Sequence, residues 1–269
     1  MCLSLMRQCV KLLQILLTSN NILYINSSFN FKCIKMKGFS LLELSMVVTV
    51  MALLMAGATA GMKILDSTKL VATIKQLREV ESAIFNFDDK YGAYPGDFSD
   101  AHRYFDDGSD DICGTESQCN GDGDAVLEVG DKYSSEVYRA WQHLDLSGII
   151  KGGYSGVWGV DDYVMTSPLE GNLTLISEDS LGNIIKLGSI VTIAGGTSDG
   201  GVLYPDIAEK IDQKIDDNKP YKGQVRGLHS FLGGDKGSET SYDSNCFLDK
   251  KYNVSHTTSK ACVLAFILY

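Results

Sequence analysis

Proline is scarce in this chain of 269 residues: there are four, and the first is Pro95. No pyrrolidine ring therefore interrupts a helix anywhere before that point. Acid is missing from the N-terminal end, where Arg7, Lys11, Lys32, Lys35 and Lys37 all precede the first carboxylate, Glu43. With those five bases set apart from the total of 24, the remainder holds 19 bases against all 34 acids, a net charge of -15. A surface so acidic repels nucleic acid and favours cations. There is no basic stripe and no nucleic-acid-binding module, so no direct contact with nucleic acid is expected. Zinc spacings are absent too: none of the seven cysteines forms C-x2-C, and His102, His143, His229 and His256 are scattered without H-E-x-x-H. Catalytic signals are almost absent. Gly196-Thr197-Ser198-Asp199-Gly200 fits G-x-S-x-G, but a nucleophile elbow needs a helix immediately behind the serine, and Asp199-Gly200-Gly201 reads as a turn. An enzyme is not expected.

What is present is a long apolar run. From Phe39 to Met62 there are 24 residues whose only charge is Glu43, enough at about 1.5 Å per residue to cross a hydrocarbon layer about 30 Å thick. Residues 39–62 are therefore read as a transmembrane helix. Lys35 and Lys37 precede it and Lys63 follows. The positive-inside rule leaves the short N-terminal flank in the cytoplasm and sends the long acidic part across the membrane. The helical pattern continues over residues 63–91. Leu70, Ile74, Leu77, Ile84 and Tyr91 form a stripe widened by Val80 and Phe87, while Lys69, Lys75, Arg78, Glu79 and Asp88 take the other face. One helix from Phe39 to Tyr91, roughly 80 Å long, is predicted.

The segment Lys37-Gly38-Phe39-Ser40-Leu41-Leu42-Glu43-Leu44 resembles the processing signal of type IV prepilins and type II secretion pseudopilins. That signal is a short basic leader ending in Gly, then Phe, then Glu five residues into the mature chain. The resemblance implies that prepilin peptidase cuts after Gly38, that Phe39 becomes the N-methylated terminus, and that Glu43 is the assembly carboxylate. It also implies the partners: the peptidase, like or sister pilin subunits, and an inner-membrane assembly platform. Physics supplies the reason for Glu43. A carboxylate in lipid is costly unless an opposite charge meets it, and cleavage at Gly38 creates an ammonium on Phe39. Pairing with a neighbouring subunit's terminus would fix axial register, as a buried polar residue does in a coiled coil.

The first 35 residues carry an apolar patch (Leu12, Leu13, Ile15, Leu16, Leu17) too short to span. Prepilin leaders are usually far shorter than 38 residues, so translation from Met36 is the preferred reading, giving a leader of Met36, Lys37 and Gly38. On either start, residues 1–38 are absent from the mature protein.

Residues 92–269 read as an extracytoplasmic globular domain. A Gly- and Asp-rich loop follows Tyr91, then a helix through SSEVYRAWQHLDL, capped by Ser134 or Ser135 with Val137, Trp141 and Leu144 on one face. Strands are predicted at Leu173–Ser177, Ile184–Leu187, Ile190–Ala194, Val202–Tyr204, Gln224–Phe231 and Ala261–Tyr269. Pro205 opens a helix through DIAEKIDQKIDDN. The fold class is α+β: a long N-terminal helix, transmembrane then amphipathic, packed on a small antiparallel sheet. YGAYPGDFSDA, NGDGD, RAWQHL and KIDDNKPYKGQVR resemble the succession in the larger pilin-like proteins, which supports the same plan.

Two sites are predicted in the domain. In Asn120-Gly121-Asp122-Gly123-Asp124-Ala125-Val126-Leu127-Glu128, oxygen-bearing side chains alternate with residues that let the backbone curl, as in the first half of an EF-hand loop. In that register the ligands are Asn120, Asp122, Asp124, the Val126 carbonyl, Glu128 and Asp131, and calcium is the candidate cofactor. Ala125 stands where the turn wants Gly, and Asp131 where a bidentate Glu is usual. A solvated acidic turn is the competing reading. Three cysteines (Cys2, Cys9, Cys33) precede the apolar run. In an oxidising compartment Cys113–Cys119 and Cys246–Cys262 are the economical disulfides, against four free buried thiols.

The function expected is therefore that of a structural subunit of a type IV pilus or type II secretion pseudopilus. It would sit in a bacterial inner membrane by one pass, domain in the periplasm, and then in the filament. The alternative is a membrane-anchored calcium-binding or adhesive domain that does not polymerise.

Overall fold

The computed structural model describes residues 40–106, 113–131, 135–159, 163–191, 196–231, 242–243 and 245–268. The leader, with Gly38 and Phe39, lies outside the described residues. The chain divides into two compact units, Met1–Met55 and Ala56–Tyr269. The first helix, α1, runs unbroken over Leu41–Tyr91. In the first unit every described residue from Ser40 to Met55 is exposed. This helix is long and apolar enough to cross a membrane.

In the second unit the predicted stripe of α1 faces inward. Leu70, Leu77, Val80, Ile84 and Phe87 are buried, and Ile74 and Tyr91 pack against them half-buried. Lys69, Lys75, Arg78 and Glu79 are exposed. The 3.6-residue period thus places the apolar side chains where the core is and the charges where water is. Polar contacts fix the helix's rotation: Gln76 Nε2 donates to the Thr166 carbonyl at 2.8 Å, and Gln224 Nε2 donates to Glu81 Oε1 at 2.7 Å.

The sheet is antiparallel throughout. Its strands are β1 (Met165–Thr166), β2 (Asn172–Glu178), β3 (Gly182–Val191), β4 (Thr197–Gly200), β5 (Val225–Phe231), β6 (Tyr242–Asp243) and β9 (Cys262–Ile267). The order is β1-β2-β3-β9-β5-β6, with β4 paired to β3. A separate hairpin joins β7 (Phe247–Leu248) to β8 (Lys251–Tyr252). All six residues of β9 are buried, as a continuous apolar run at the sheet's centre should be. Its register sets Phe266 opposite Ile185 on one side and Val225 on the other. Leu77 of α1, Ile185 and Phe266 line one small cavity between the helix and the sheet.

The remaining helices are α2 (Ala101–Phe105), α3 (Glu116–Cys119), α4 (Glu136–Leu146) and α5 (Pro205–Ile215). The last two match expectation, α4 with Ser135 at its N-cap and α5 with Pro205 at its first turn. Both disulfides are present, Cys113–Cys119 and Cys246–Cys262.

Four details differ from the sequence reading. Val202–Tyr204 is not a strand: Leu203 makes an isolated bridge to Cys262, and Tyr204 already stands at the N-cap of the helix that Pro205 opens. The loop after Tyr91 contains the short helices α2 and α3. Ile184–Leu187 and Ile190–Val191 belong to one strand, β3, rather than two, and 192–194 of the expected second strand lie outside the described residues. Thr197–Gly200 is a strand and not a turn, because Gly188 lets it close on β3: a Cβ at Gly188 would stand 2.1 Å from the Ser198 carbonyl oxygen.

Phe87 is fully buried where α1 meets the domain, its ring stacked on His143 at 5.9 Å and set edge-on to Phe98 at 6.1 Å. Phe87→Ala should cost about 3–5 kcal/mol of domain stability, read as a lowered denaturant midpoint of the detergent-solubilised chain. Phe85→Ala, more than a third exposed on the same helix, should cost far less.

Candidate functional site

Two places carry unpaired or crowded charge, one in each unit. Glu43 lies in the first turn of α1 and is exposed, its backbone N–H donating to the Ser40 carbonyl at 3.0 Å. The hydroxyls of the same apolar stretch are satisfied within the helix. Ser45 bonds the Leu42 carbonyl at 2.8 Å, Thr49 that of Met46 at 2.9 Å and Thr59 that of Ala56 at 3.0 Å. Such back-bonding removes the cost of a hydroxyl in hydrocarbon. The Glu43 carboxylate has no hydrogen-bond partner among the described residues.

The second place is the acidic loop, and its organiser is Asp97. Pro95 and Gly96 turn the chain after α1, and Asp97 is almost wholly buried there. Its Oδ1 accepts from the N–H groups of Gly123 at 2.7 Å and Asp124 at 3.0 Å, and its Oδ2 accepts from that of Ala125 at 2.9 Å. Three donors on one carboxylate are a strong local anchor. Gly121 is required for this approach, since a Cβ there would stand 2.3 Å from the Asp97 carbonyl carbon. Ala125 takes φ +66° to complete the curl. Asp122 Oδ1 then accepts from Asp124 N–H at 3.2 Å and Asp124 Oδ1 from Val126 N–H at 2.8 Å.

Oxygen atoms of Asp97, Asp122 and Asp124 lie within 4.8 Å of one another. Carboxylate oxygens are the ligand type that hard cations as a class take. Two of the predicted ligands, Asp122 and Asp124, are thus brought together, with Asp97 as the third carboxylate. Asn120 is adjacent but engaged: its Oδ1 accepts from His102 N–H at 2.7 Å and its carbonyl from the Arg139 guanidinium. Glu128 and Asp131 do not join the cluster. Leu127 exchanges bonds with Ser177 of β2 at 2.9 Å in both directions, which straightens the chain where an EF-hand would keep curling. Val126 is exposed on the loop's outer side. Asp97 gave no signal beyond standing after Pro-Gly, more than twenty residues from the loop it organises.

Burial shapes the titration of the groups around the loop. Glu136 accepts from Asp122 N–H at 3.0 Å and Glu128 N–H at 3.3 Å. Its carboxyl is nevertheless pushed up to about 7, by desolvation first, with the Asp97 and Asp122 charges adding to it. Desolvation also raises Asp97. His143 behaves oppositely. Gly96 N–H donates to its Nδ1 at 2.9 Å, so Nε2 carries the proton and donates to the Cys119 carbonyl at 2.7 Å. Its burial lowers the imidazole to about 4, which makes His143 a neutral brace between the turn and the Cys113–Cys119 bridge.

Other sequence features resolve into structure. Asp212, Asp216 and Asp217 also bring oxygens within 4.8 Å. Asp212 accepts from the Tyr252 hydroxyl at 2.9 Å and Asn218 N–H at 3.1 Å, and Asp216 from Val225 N–H at 3.1 Å. These bonds tie the end of α5 to β5 and β8. Ser198 is buried, its hydroxyl donating to the Asn172 carbonyl at 3.2 Å, and a strand rather than a helix surrounds it. Asp199 beside it holds Lys186, a core cation 1% exposed, at 2.8 Å, and Glu178 holds it from the other side.

Compared with protein-family models, with curated proteins and with solved structures, the chain matches none.

The lowered His143 sets a pH dependence. The unfolded imidazole takes a proton near 6.5 and the folded one only near 4, so His143 contributes stability that is complete above about 6.5 and is lost as pH falls toward 4. Glu136 opposes it, since a raised carboxyl loses stability as pH rises through about 7. The stability gap between the unaltered chain and His143→Asn should therefore narrow on acidification from pH 6.5 to 4. Urea melts at half-unit steps would show this; a constant gap would contradict it.

Proposed function

We propose that this chain is a pilin-like structural subunit of a type IV pilus or type II secretion pseudopilus. In this reading prepilin peptidase cuts it after Gly38 and methylates Phe39. It enters a bacterial inner membrane by the first half of α1, with its domain in the periplasm, and is packed helix to helix by an inner-membrane assembly platform. The observation that carries the reading is the join between the Gly38-Phe39…Glu43 signal and α1. A helix that begins at that signal as an exposed apolar rod continues, without a break, as the core helix of an α+β domain. A signal anchor needs no such continuity, whereas a subunit that must lift its domain out of the bilayer does. The two disulfides fit an oxidising compartment.

Glu43 is the assembly residue in this reading. Its carboxylate meets the Phe39 ammonium of its own or a neighbouring copy, which offsets desolvation and sets the register between helices. Mass spectrometry of the membrane-extracted protein should find a methylated Phe39 at the N-terminus. Glu43→Val should insert and be processed normally yet lower the yield of assembled subunits at least about tenfold, a loss of at least about 1.4 kcal/mol in assembly free energy. An unprocessed chain, or undiminished assembly of Glu43→Val, would overturn the proposal.

A second reading, a tethered calcium-binding or adhesive domain that does not polymerise, draws on the Asp97, Asp122 and Asp124 cluster. Calcium there would be a structural ion of the loop in either reading. It would also stabilise the ionised forms of Asp97 and Glu136, whose carboxyls burial now holds up. Calorimetric titration of the solubilised chain should show one site that Asp97→Asn and Asp122→Asn remove; no heat in the unaltered chain would exclude calcium.

A further inference from the structure

The second unit carries two surface features of opposite character. The first is a groove of about 630 Å³ along α1, with Val80, Ala83, Ile149, Ile150 and Met165 among its lining residues. Lys75 and Arg78 stand on its edge with Glu79, and Lys151 adjoins it, all exposed. In a chain whose part beyond the leader has 19 bases against 34 acids, this edge is locally cationic. Lys75 is held by the exposed Glu79 at 3.1 Å, while Arg78 is held by Glu81 at 2.7 Å and by Gln224 Oε1 at 3.1 Å. The exposed Lys75–Glu79 pair is of the weak kind that exchanges readily.

The second feature is the outer side of the acidic loop. Asp124, Val126 and Glu128 are all exposed, alternating acid, apolar, acid along a segment whose backbone is pinned by Asp97 and by Ser177. A preorganised loop loses little entropy on docking. Its single apolar side chain between two carboxylates is the complement of an apolar floor edged by bases.

From this match, and resting on the pilin-like reading, we infer that the groove of one copy receives the Asp124–Glu128 loop of the next. Val126 seats on the floor formed by Val80, Ile149, Ile150 and Met165. Asp124 and Glu128 meet Lys75 and Arg78, and Glu79 and Glu81 give up their partners. The two surfaces are different parts of the chain, so the contact is heterologous. Each copy that docks by its loop still offers an empty groove, and addition continues instead of stopping at a dimer. Opposite charge at the rim selects this register over one that sets acid against acid.

The test uses the full chain assembled in membranes, half of it grown in heavy nitrogen, and a zero-length carbodiimide that joins an amine to a carboxylate in contact. Peptides that couple Lys75 to Asp124 or Glu128 and combine light with heavy nitrogen are expected, as is a ladder of multimers on a denaturing gel. Glu128→Lys should reduce that ladder about tenfold, and adding Lys75→Glu in the same chain should restore it. Assembly in which Lys75 couples only within its own copy or to other acids would overturn the contact, as would dimers without higher multimers. Undiminished laddering of Glu128→Lys would do the same. Each of these outcomes leaves methyl-Phe39 and filament yield intact, whereas a chain that neither loses its leader nor assembles would take the pilin-like reading with it.

Discussion

One constraint governs this molecule: a single unbroken helix, α1, must satisfy two different surroundings. Backbone hydrogen bonding is the same along all of Leu41–Tyr91, so only side chains distinguish its halves. In the first, exposed Leu, Met and Val cover the rod on every side, and the few hydroxyls bond back to its own carbonyls. That is the composition a helix needs where water cannot serve its polar groups. In the second, the apolar residues narrow to a stripe, and the domain is assembled on it. Leu77 meets the β3 and β9 strands, Phe87 meets α4 through His143, and Gln76 and Glu81 fix the helix's rotation. A break in the ladder would separate the part that can enter lipid from the part that folds the domain.

The domain's polar interior follows from where α1 stops. Past Tyr91 the chain must turn back, and Asp97 holds the turn by collecting three N–H donors from a loop far along the sequence. That arrangement draws Asp122 and Asp124 close and leaves Glu136 half-desolvated beside them, which is why its carboxyl rises while His143 falls. The opposing directions share one cause. Burial penalises whichever form is charged, acid or base. A cation that settled among the three aspartates would remove the penalty on the acids and leave that on the imidazole.

What could be read from the sequence was what depends on near neighbours. The stripe of α1, the start of α4 at Ser135, Pro205 opening α5 and the two local cysteine couples are all decided within a few turns of chain. What could not be read needed contacts across the fold. Asp97 looks like any aspartate after Pro-Gly until the loop reaches it. Thr197–Gly200 has turn composition and becomes strand because Gly188 opposite leaves room for its backbone. Lys186 interrupts an apolar strand, and nothing nearby in sequence announces Asp199 as its counterion. The loop's local alternation of acids is legible in the sequence, but Ser177 of a distant strand decides where the curl ends.

Buried charges among the described residues find partners, as Lys186 and Asp97 illustrate. Lys186 takes two carboxylates, and Asp97 takes backbone donors. Glu43 has neither. No residue one turn along α1 offers a base, and the hydroxyls of Ser45 and Thr49 are turned back onto the helix. An ionised acid at that place must obtain its counter-charge from beyond Leu41–Tyr91 or lie in water. Cleavage at Gly38 would generate an ammonium within the same turn of chain, and a parallel neighbour would supply a second at the same depth. Of the two, the neighbour's couples charge neutralisation to association. In that proposed arrangement a lone acid in an apolar rod would serve assembly better than an apolar residue could, because its cost in isolation would become a preference for company.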